Sequence, residues 1–166
     1  SGLLVTHDPE EALAICDRVA VINEGELLQI APPREMANRP SCSFVGQFVF
    51  QRNHLPLRSK DNIYKTLIGQ IIPHTNKAIA NNSICMFDHT SIVIETSEFG
   101  EFLVKSKEFS VDHWKITLNY NEIQVKASYK IDYDIQIGSK CKCKFVNGDI
   151  GIIFPGSIPC SLQSNA

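Results

Sequence analysis

Residues 5–13 read Val-Thr-His-Asp-Pro-Glu-Glu-Ala-Leu, and this stretch contains the strongest local signals for the fold. The apolar residues at its start predict the end of a buried strand over residues 1–6, which would need neighbours on both sides. Asp8 predicts a helix N-cap, with Pro9 at the first helical position and Glu11 completing a capping box. A strand that ends just before a capped helix places His7 at the mouth of an α/β sheet, where ligands collect.

The pattern after this stretch predicts a short α/β segment. The helix would run to about Asp17, and two strands over 19–22 and 26–30 would flank a turn at Gly25. Prolines 32 and 33 end the second strand, and short helices follow near 34–38 and 41–48. The sequence therefore mixes helices and strands up to residue 48.

Beyond residue 62 the periodicity changes from helical to strand-like. We predict an irregular linker over 49–62, then strands near 63–72, 84–88, 91–96, 101–106, 113–120, 123–131, 140–146 and 149–154. Residues 123–131 alternate clearly, with Ile123, Val125, Ala127, Tyr129 and Ile131 on one face. Asn147-Gly148 predicts a hairpin turn between the last two strands. Several short strands with turns between them indicate a small antiparallel barrel.

Composition narrows the functional classes. The 166 residues carry a net charge of −2, which gives no general attraction to nucleic acid or anionic lipid. Residues 1–50, with three basic and seven acidic side chains, have a net charge of −4, and the remainder is at +2. No apolar run is long enough for a membrane-spanning helix, and the start does not read as a signal peptide, so we expect a cytoplasmic protein with free thiols.

Two segments carry a family resemblance. Residues 5–13 resemble the switch-histidine segment of ABC transporter ATPases, and residues 17–27 resemble the stretch that follows it in that family. Further matches to importer ATPases in residues 3–48 are Pro33, Glu35, Arg39-Pro40 and Phe44-Val45. The strand-rich remainder resembles the C-terminal transport-associated accessory domain of those importers, an oligonucleotide-binding (OB) type barrel, best at residues 138–155.

The resemblance implies the fold class and the domains. We expect a mainly β protein, with a small antiparallel OB-like barrel after a short N-terminal α/β segment left from an ABC ATPase domain. The domains would be residues 1–48 as the ATPase remnant, 49–62 as the linker and 63–166 as the accessory domain.

The resemblance also assigns His7 the catalytic role of the switch histidine, which would orient the attacking water at the γ-phosphate in the parent chain. Phosphate binding needs a glycine-rich GxxxxGK[ST] loop, and this sequence contains none. The magnesium-holding Asp, the catalytic Glu and the signature loop of the family are also missing. We therefore expect no ATP hydrolysis, no cofactor and no metal in this chain, and ATP with magnesium in the parent.

The function implied is a regulatory and dimerisation domain of an importer's ATP-binding subunit. The parent would lie at the inner face of the cell membrane with transmembrane permease subunits and import a small solute, ferric iron first, with polyamine, sulfate or sugar behind it. The partner of this chain would be a second copy. Two alternatives stay open, a barrel that senses a small oxyanion and, further behind, a barrel that binds single-stranded nucleic acid.

Other candidate sites have structural explanations. Cys141 and Cys143 share one strand face, and no second ligand pair suits zinc, so we expect core cysteines. The lysines on the opposite face, with Lys126 and Lys130, predict a solvated surface, because no aromatic side chains interleave with them for base stacking. The histidines beyond His7 show no metal-ligand spacing, and His113-Trp114 would pack at a barrel mouth; these histidines are His54, His74, His89 and His113.

The first 48 residues contain apolar side chains with little to pack against. We predict that this segment docks on the barrel, pairs with a second copy or exchanges strands, because large exposed apolar patches are unusual on monomers. The residues concerned are Leu3, Leu4, Val5, Leu13 and Ile15.

Overall fold

The structure is a computed structural model, and it describes residues 2–61, 63–71, 79, 83–110, 112–130, 135–146 and 151–154. Contacts divide the chain into two compact units, with the boundary after Arg52. Among the described residues, no helix has both the length and the apolar character needed to cross a membrane.

The described residues of the first unit form three short helices and one antiparallel hairpin. Its elements are α1 (Pro9–Ile15), β1 (Val19–Asn23), β2 (Glu26–Ala31), α2 (Pro33–Asn38) and α3 (Ser43–Phe50). Every element lies within a few residues of its predicted position, because caps, prolines and the Glu24-Gly25 turn are local signals. A small core of Val21, Ala31, Met36, Val45 and Val49 joins the hairpin to α2 and α3.

The buried strand predicted over residues 1–6 is wrong for the described part of that segment. Residues 2–6 form no strand, and the side chains of Leu3 and Val5 are 92% and 87% exposed. A strand exists only where a neighbour accepts its backbone hydrogen bonds, and no described strand pairs with this segment. The helix also ends earlier than predicted, at Ile15.

The second unit is built almost entirely from antiparallel strands. These are β3 (Asn53–Pro56), β4 (Arg58–Lys60), β5 (Ile63–Thr66), β6 (Gly69–Ile71), β7 (Ile84–Phe87), β8 (Ile92–Thr96), β9 (Phe102–Ser110), β10 (His113–Tyr120), β11 (Ile123–Lys130), β12 (Lys140–Phe145) and β13 (Ile152–Phe154). A single 3₁₀ turn, His89–Ser91, precedes β8. The mainly β class with a small antiparallel OB-like domain is confirmed.

The strands in the described part of this unit form three sheets around one core. The largest has the order β11-β10-β9-β12-β8, and the others are β13-β7-β3 and β4-β5-β6. The five-stranded sheet curls so that its two edge strands approach, and the Tyr129 hydroxyl in β11 donates to the Ile94 carbonyl in β8 at 3.0 Å. Ile94, Ile116, Leu118 and Val125 are buried inside. A sheet whose edges meet is the geometry of a small barrel.

Two predictions for the second unit were wrong in detail. Irregular chain was predicted over 49–62, yet α3 continues to Phe50 and β3 and β4 follow it. Leu55 and Leu57 alternate with exposed positions and are buried, which is a period-two signal that the prolines and Asn53 obscured. The strand predicted over 63–72 is two strands, β5 and β6, separated by a turn. The Asn147-Gly148 hairpin lies outside the described residues.

Asn53 fastens β3 to the free edge of the five-stranded sheet. Its side-chain amide donates to the Lys126 carbonyl and accepts from the Lys126 backbone N–H, both at 2.7 Å. Lys126 lies in β11, an edge strand, so the amide of Asn53 takes the place of one residue of a missing neighbour strand. Asn53 is buried and Lys126 is half-buried, so removal of the amide would leave two partly buried backbone groups without this partner.

We expect Asn53→Ala to lower the free energy of unfolding by about 1–3 kcal/mol, because it leaves a partly buried N–H and a partly buried carbonyl without their partner. Chemical denaturation monitored by Trp114 fluorescence measures the change. Asn119→Ala is the matched control, since Asn119 pairs only with the exposed Gln124 and its loss should cost about 0.5 kcal/mol or less. Equal destabilisation by the two variants would contradict this role for Asn53.

Gly100 permits the β8–β9 turn to lie directly on β12. A Cβ at this position would overlap the backbone N, C and O atoms of Cys141, which cannot move without breaking the pairing of β12. We expect Gly100→Ala to lower the free energy of unfolding by about 3 kcal/mol or more, measured by thermal denaturation. Gly2→Ala is the control, because an added Cβ there meets nothing within 4 Å. An unchanged melting temperature in Gly100→Ala would show that the turn is not as tight as described.

Candidate functional site

His7 lies in a tight bend that leads into α1. The Asp8 backbone N–H donates to Thr6 Oγ1 at 3.1 Å, and Asp8 Oδ1 accepts from the N–H groups of Glu10 and Glu11 at 2.9 and 3.4 Å. These bonds fix the backbone on both sides of His7, while its imidazole is exposed. The bend therefore presents a histidine to solvent from a rigid position, and the catalytic role of His7 stays a prediction.

The N-terminus of α1 differs from the predicted capping box. Asp8 caps the helix as expected, but its own N–H, which a capping box would pair with Glu11, bonds Thr6 Oγ1 instead. An ST-type bond over two residues forms more easily than a bond from a long glutamate side chain, since fewer rotatable bonds are fixed. Thr6 therefore has a positioning role that the sequence analysis did not assign.

An apolar surface lies on the hairpin that follows α1. Ile22 and Leu27 are cross-strand neighbours, and Ile30 lies opposite Ala20, all on the face turned away from the core of the first unit. The exposed fractions are 65% for Ile22, 56% for Leu27 and 47% for Ile30. We call this set (Ala20, Ile22, Leu27, Ile30) the hairpin face. It is an apolar sheet surface that no described element of its unit covers.

Cys141 and Cys143 are core residues, as the sequence predicted. Cys141 is buried and its thiol donates to the Phe102 carbonyl at 3.6 Å, while Cys143 packs against the same core. The hydrogen bond with Cys141, together with burial, raises the pKa of Cys143, so this thiol stays protonated at neutral pH. Burial also raises the pKa of Cys85 to about 12. Among the described residues, no group of three or more His, Cys, Asp or Glu side chains could hold a metal ion.

The lysines of β12 occupy the opposite face from these cysteines. Lys140, Lys142 and Lys144 are all exposed, and Lys144 forms an ion pair with Glu95 on the neighbouring strand β8. The hydrogen bond and the charge of Lys144 hold the pKa of Glu95 below its usual value, with a smaller contribution from Lys142. The predicted division of β12 into an apolar and a cationic face is therefore present.

An aromatic cluster lies where β9 and β10 meet, around Trp114. Phe109 packs edge-on against Trp114 with ring centroids 4.9 Å apart, and Lys107 Nζ lies 4.4 Å from the centre of the Trp114 ring. Lys107 also donates to the Ile135 carbonyl at 3.2 Å. The sequence analysis predicted packing for Trp114 and missed Lys107, although its alternation with Phe109 on one strand was a usable signal.

The remaining histidines that the structure describes do not lie close together. His113 Nδ1 lies 2.7 Å from Asp112 Oδ1, and His54 is half-buried in β3, where burial lowers its pKa below the usual value. His89 lies in the 3₁₀ turn, and His74 lies outside the described residues. The first unit also has an open depression of about 470 Å³ around α2, lined by Pro32, Arg34, Glu35, Asn38 and Arg39.

Comparison with known proteins finds similarity to the ATP-binding proteins of importers. No family model matches the chain. Over 54 residues it is 54% identical to the sulfate/thiosulfate import ATP-binding protein CysA of Xylella fastidiosa, which covers 32% of this chain and 16% of that protein. Over 67 residues it is 40% identical to the spermidine/putrescine import ATP-binding protein PotA of Borreliella afzelii, covering 40% of this chain and 19% of that protein.

The longest of these matches extends over both units. The chain is 32% identical over 127 residues to the spermidine/putrescine import ATP-binding protein PotA of Spiroplasma citri, covering 72% of this chain and 36% of that protein. The chain thus spans between about a sixth and about a third of the length of these relatives. These relatives are ATP-binding subunits of ABC importers, and the partial matches are consistent with a C-terminal part of such a subunit.

Proposed function

We propose that this chain serves an ABC importer as the C-terminal regulatory and dimerisation part of its ATP-binding subunit. Residues 1–48 would belong to the ATPase domain and residues 63–166 to the accessory barrel, with 49–62 joining them. The relatives support the assignment to an importer. The observation that supports assigning residues 1–48 to an ATPase domain is the hairpin face.

The hairpin face supports packing of residues 1–48 on a larger ATPase domain. The solvent-facing side of an antiparallel sheet is commonly polar, whereas the outer face of β1 and β2 exposes Ile22, Leu27 and Ile30. An exposed apolar surface of this kind usually marks a contact site. We propose that the rest of the ATPase domain covers it.

His7 would act on ATP in the complete subunit. Its exposed imidazole, on a bend fixed by Thr6 and Asp8, is free to approach a γ-phosphate and orient the attacking water. Magnesium would neutralise phosphate charge there. We propose that this chain does not hydrolyse ATP by itself, since its sequence has no GxxxxGK[ST] loop to hold the phosphates.

The barrel would regulate by mass action. Contacts that two barrels make in only one state of the ATPase dimer would favour that state, without any chemistry in the barrel itself. The complete subunit would work with transmembrane permease subunits at the inner face of the cell membrane. We propose sulfate/thiosulfate or spermidine/putrescine as the solute, because the relatives' names contain these compounds. They replace ferric iron, which the sequence analysis placed first.

A chimaera tests the role of His7. The chain replaces the matching C-terminal segment of the Spiroplasma citri relative, and ATP hydrolysis is measured with and without His7→Ala. We expect His7→Ala to lower kcat by roughly 100-fold or more, because the attacking water loses its positioning group. The isolated chain should show no hydrolysis above background.

His113→Ala is the matched control for the chimaera, since His113 lies in the barrel and pairs with Asp112. It should leave kcat within about twofold of the unsubstituted chimaera. A chimaera that hydrolyses ATP equally well with His7→Ala would contradict the switch role, and hydrolysis by the isolated chain would contradict the proposed dependence on other segments.

Light scattering over a concentration series tests dimerisation. We expect a mass near twice 18.6 kDa that persists on dilution to the low micromolar range. Ile22→Lys should leave this mass unchanged, because the hairpin face is proposed to contact the ATPase domain and not the second copy. A monomeric mass at every concentration would contradict the dimerisation proposal.

A further inference from the structure

The outward face of the five-stranded sheet carries a surplus of lysine. Directly paired residues share a face, and the pairs Lys140–Leu103, Lys142–Glu95 and Lys115–Glu108 all lie opposite the core side. We call this surface the lysine face. Its lysines are Lys105, Lys115, Lys126, Lys140, Lys142 and Lys144, and its strand carboxylates are Glu95 and Glu108.

The positive charge of the lysine face is only partly neutralised within the barrel. Lys144 pairs with Glu95, but among the described residues no ion pair joins Lys140 or Lys142 to a carboxylate. Glu98 and Glu101 lie in the β8–β9 turn, next to the Lys140 end of β12 only. A chain with a net charge of −2 therefore concentrates cations on one sheet surface, which favours an anionic partner.

The side chains of this face argue against nucleic acid as that partner. Trp114, Tyr120 and Tyr129 pack against the core, and Phe109, although 54% exposed, lies on the same side of the sheet as its ring partner Trp114. Single-stranded nucleic acid binds through bases stacked on exposed aromatic rings, and the strands of this face offer none. The face instead exposes Leu103 beside Lys140, which gives a protein partner an apolar contact.

The spacing of the lysines suits an extended polypeptide. Alternate residues of a strand recur about every 6.7 Å, so Lys140, Lys142 and Lys144 form a row with that repeat. An extended acidic segment repeats its alternate side chains at the same distance. We propose that the lysine face binds an extended acidic polypeptide whose carboxylates occupy alternate positions and lie along β12.

Fluorescence anisotropy with two labelled peptides tests this proposal on the full chain. One peptide alternates Glu and Ser over about 12 residues, and the other has the same composition with the glutamates in one block. We expect the alternating peptide to bind at least about threefold more tightly, with an affinity that falls as salt rises. The double variant Lys142→Gln/Lys144→Gln should lose about tenfold in affinity for it.

The matched control variant is Lys60→Gln/Lys65→Gln, which removes the same charge from the sheet β4-β5-β6. It should bind the alternating peptide as the unsubstituted chain does. All variants should keep their melting temperature within about 2 °C, because these lysines are exposed. Equal affinity for both peptides, or equal loss in both double variants, would overturn the proposal. Tighter binding of a 12-nucleotide oligothymidine or of phosphatidylserine vesicles would also overturn it.

Discussion

The closure of the five-stranded sheet is the constraint on which the second unit depends. Its edge strands β8 and β11 would each leave a row of backbone groups unpaired, which costs free energy wherever water is excluded. Tyr129 spans the gap to the Ile94 carbonyl, and Asn53 bonds both backbone groups of Lys126 at the edge of β11. Because these bonds hold the sheet curled, Ile116, Leu118 and Val125 can pack in a single core beneath it.

Strand β12 has two chemically different faces, an inner face with cysteines and an outer face with lysines. On its inner face Cys141 is fully buried and Cys143 is half-buried, whereas Lys140, Lys142 and Lys144 on its outer face are exposed. The hydrogen bond with Cys141 and burial raise the pKa of the Cys143 thiol, which disfavours the reactive thiolate on the inner face. Any binding function of β12 must therefore come from its outer face.

The first unit leaves many of its apolar side chains exposed. Its core is small, and its hairpin and the segment before α1 expose large apolar side chains, among them Leu3, Val5 and Ile22. His7 lies between these surfaces along the chain, fixed by local bonds to Thr6 and Asp8. Exposed apolar surface of this kind usually marks a contact site. It therefore supports the proposal that a larger ATPase domain covers the first unit.

The sequence by itself determined the local structure of this protein. The N-cap at Asp8, the hairpin turn at Gly25 and the alternation of residues 123–130 specify helix, turn and strand through contacts between near neighbours, and the family resemblance lies in the same residues. Only the tertiary structure decided which strands exist and which faces are covered. Residues 2–6 have a strand-like sequence, but no strand among the described residues pairs with them, whereas β3 lies in a stretch predicted to be irregular and is held by Asn53. The physical reason is distance along the chain, since the bonds that close the barrel join residues 35 and 73 positions apart, which no local pattern can encode.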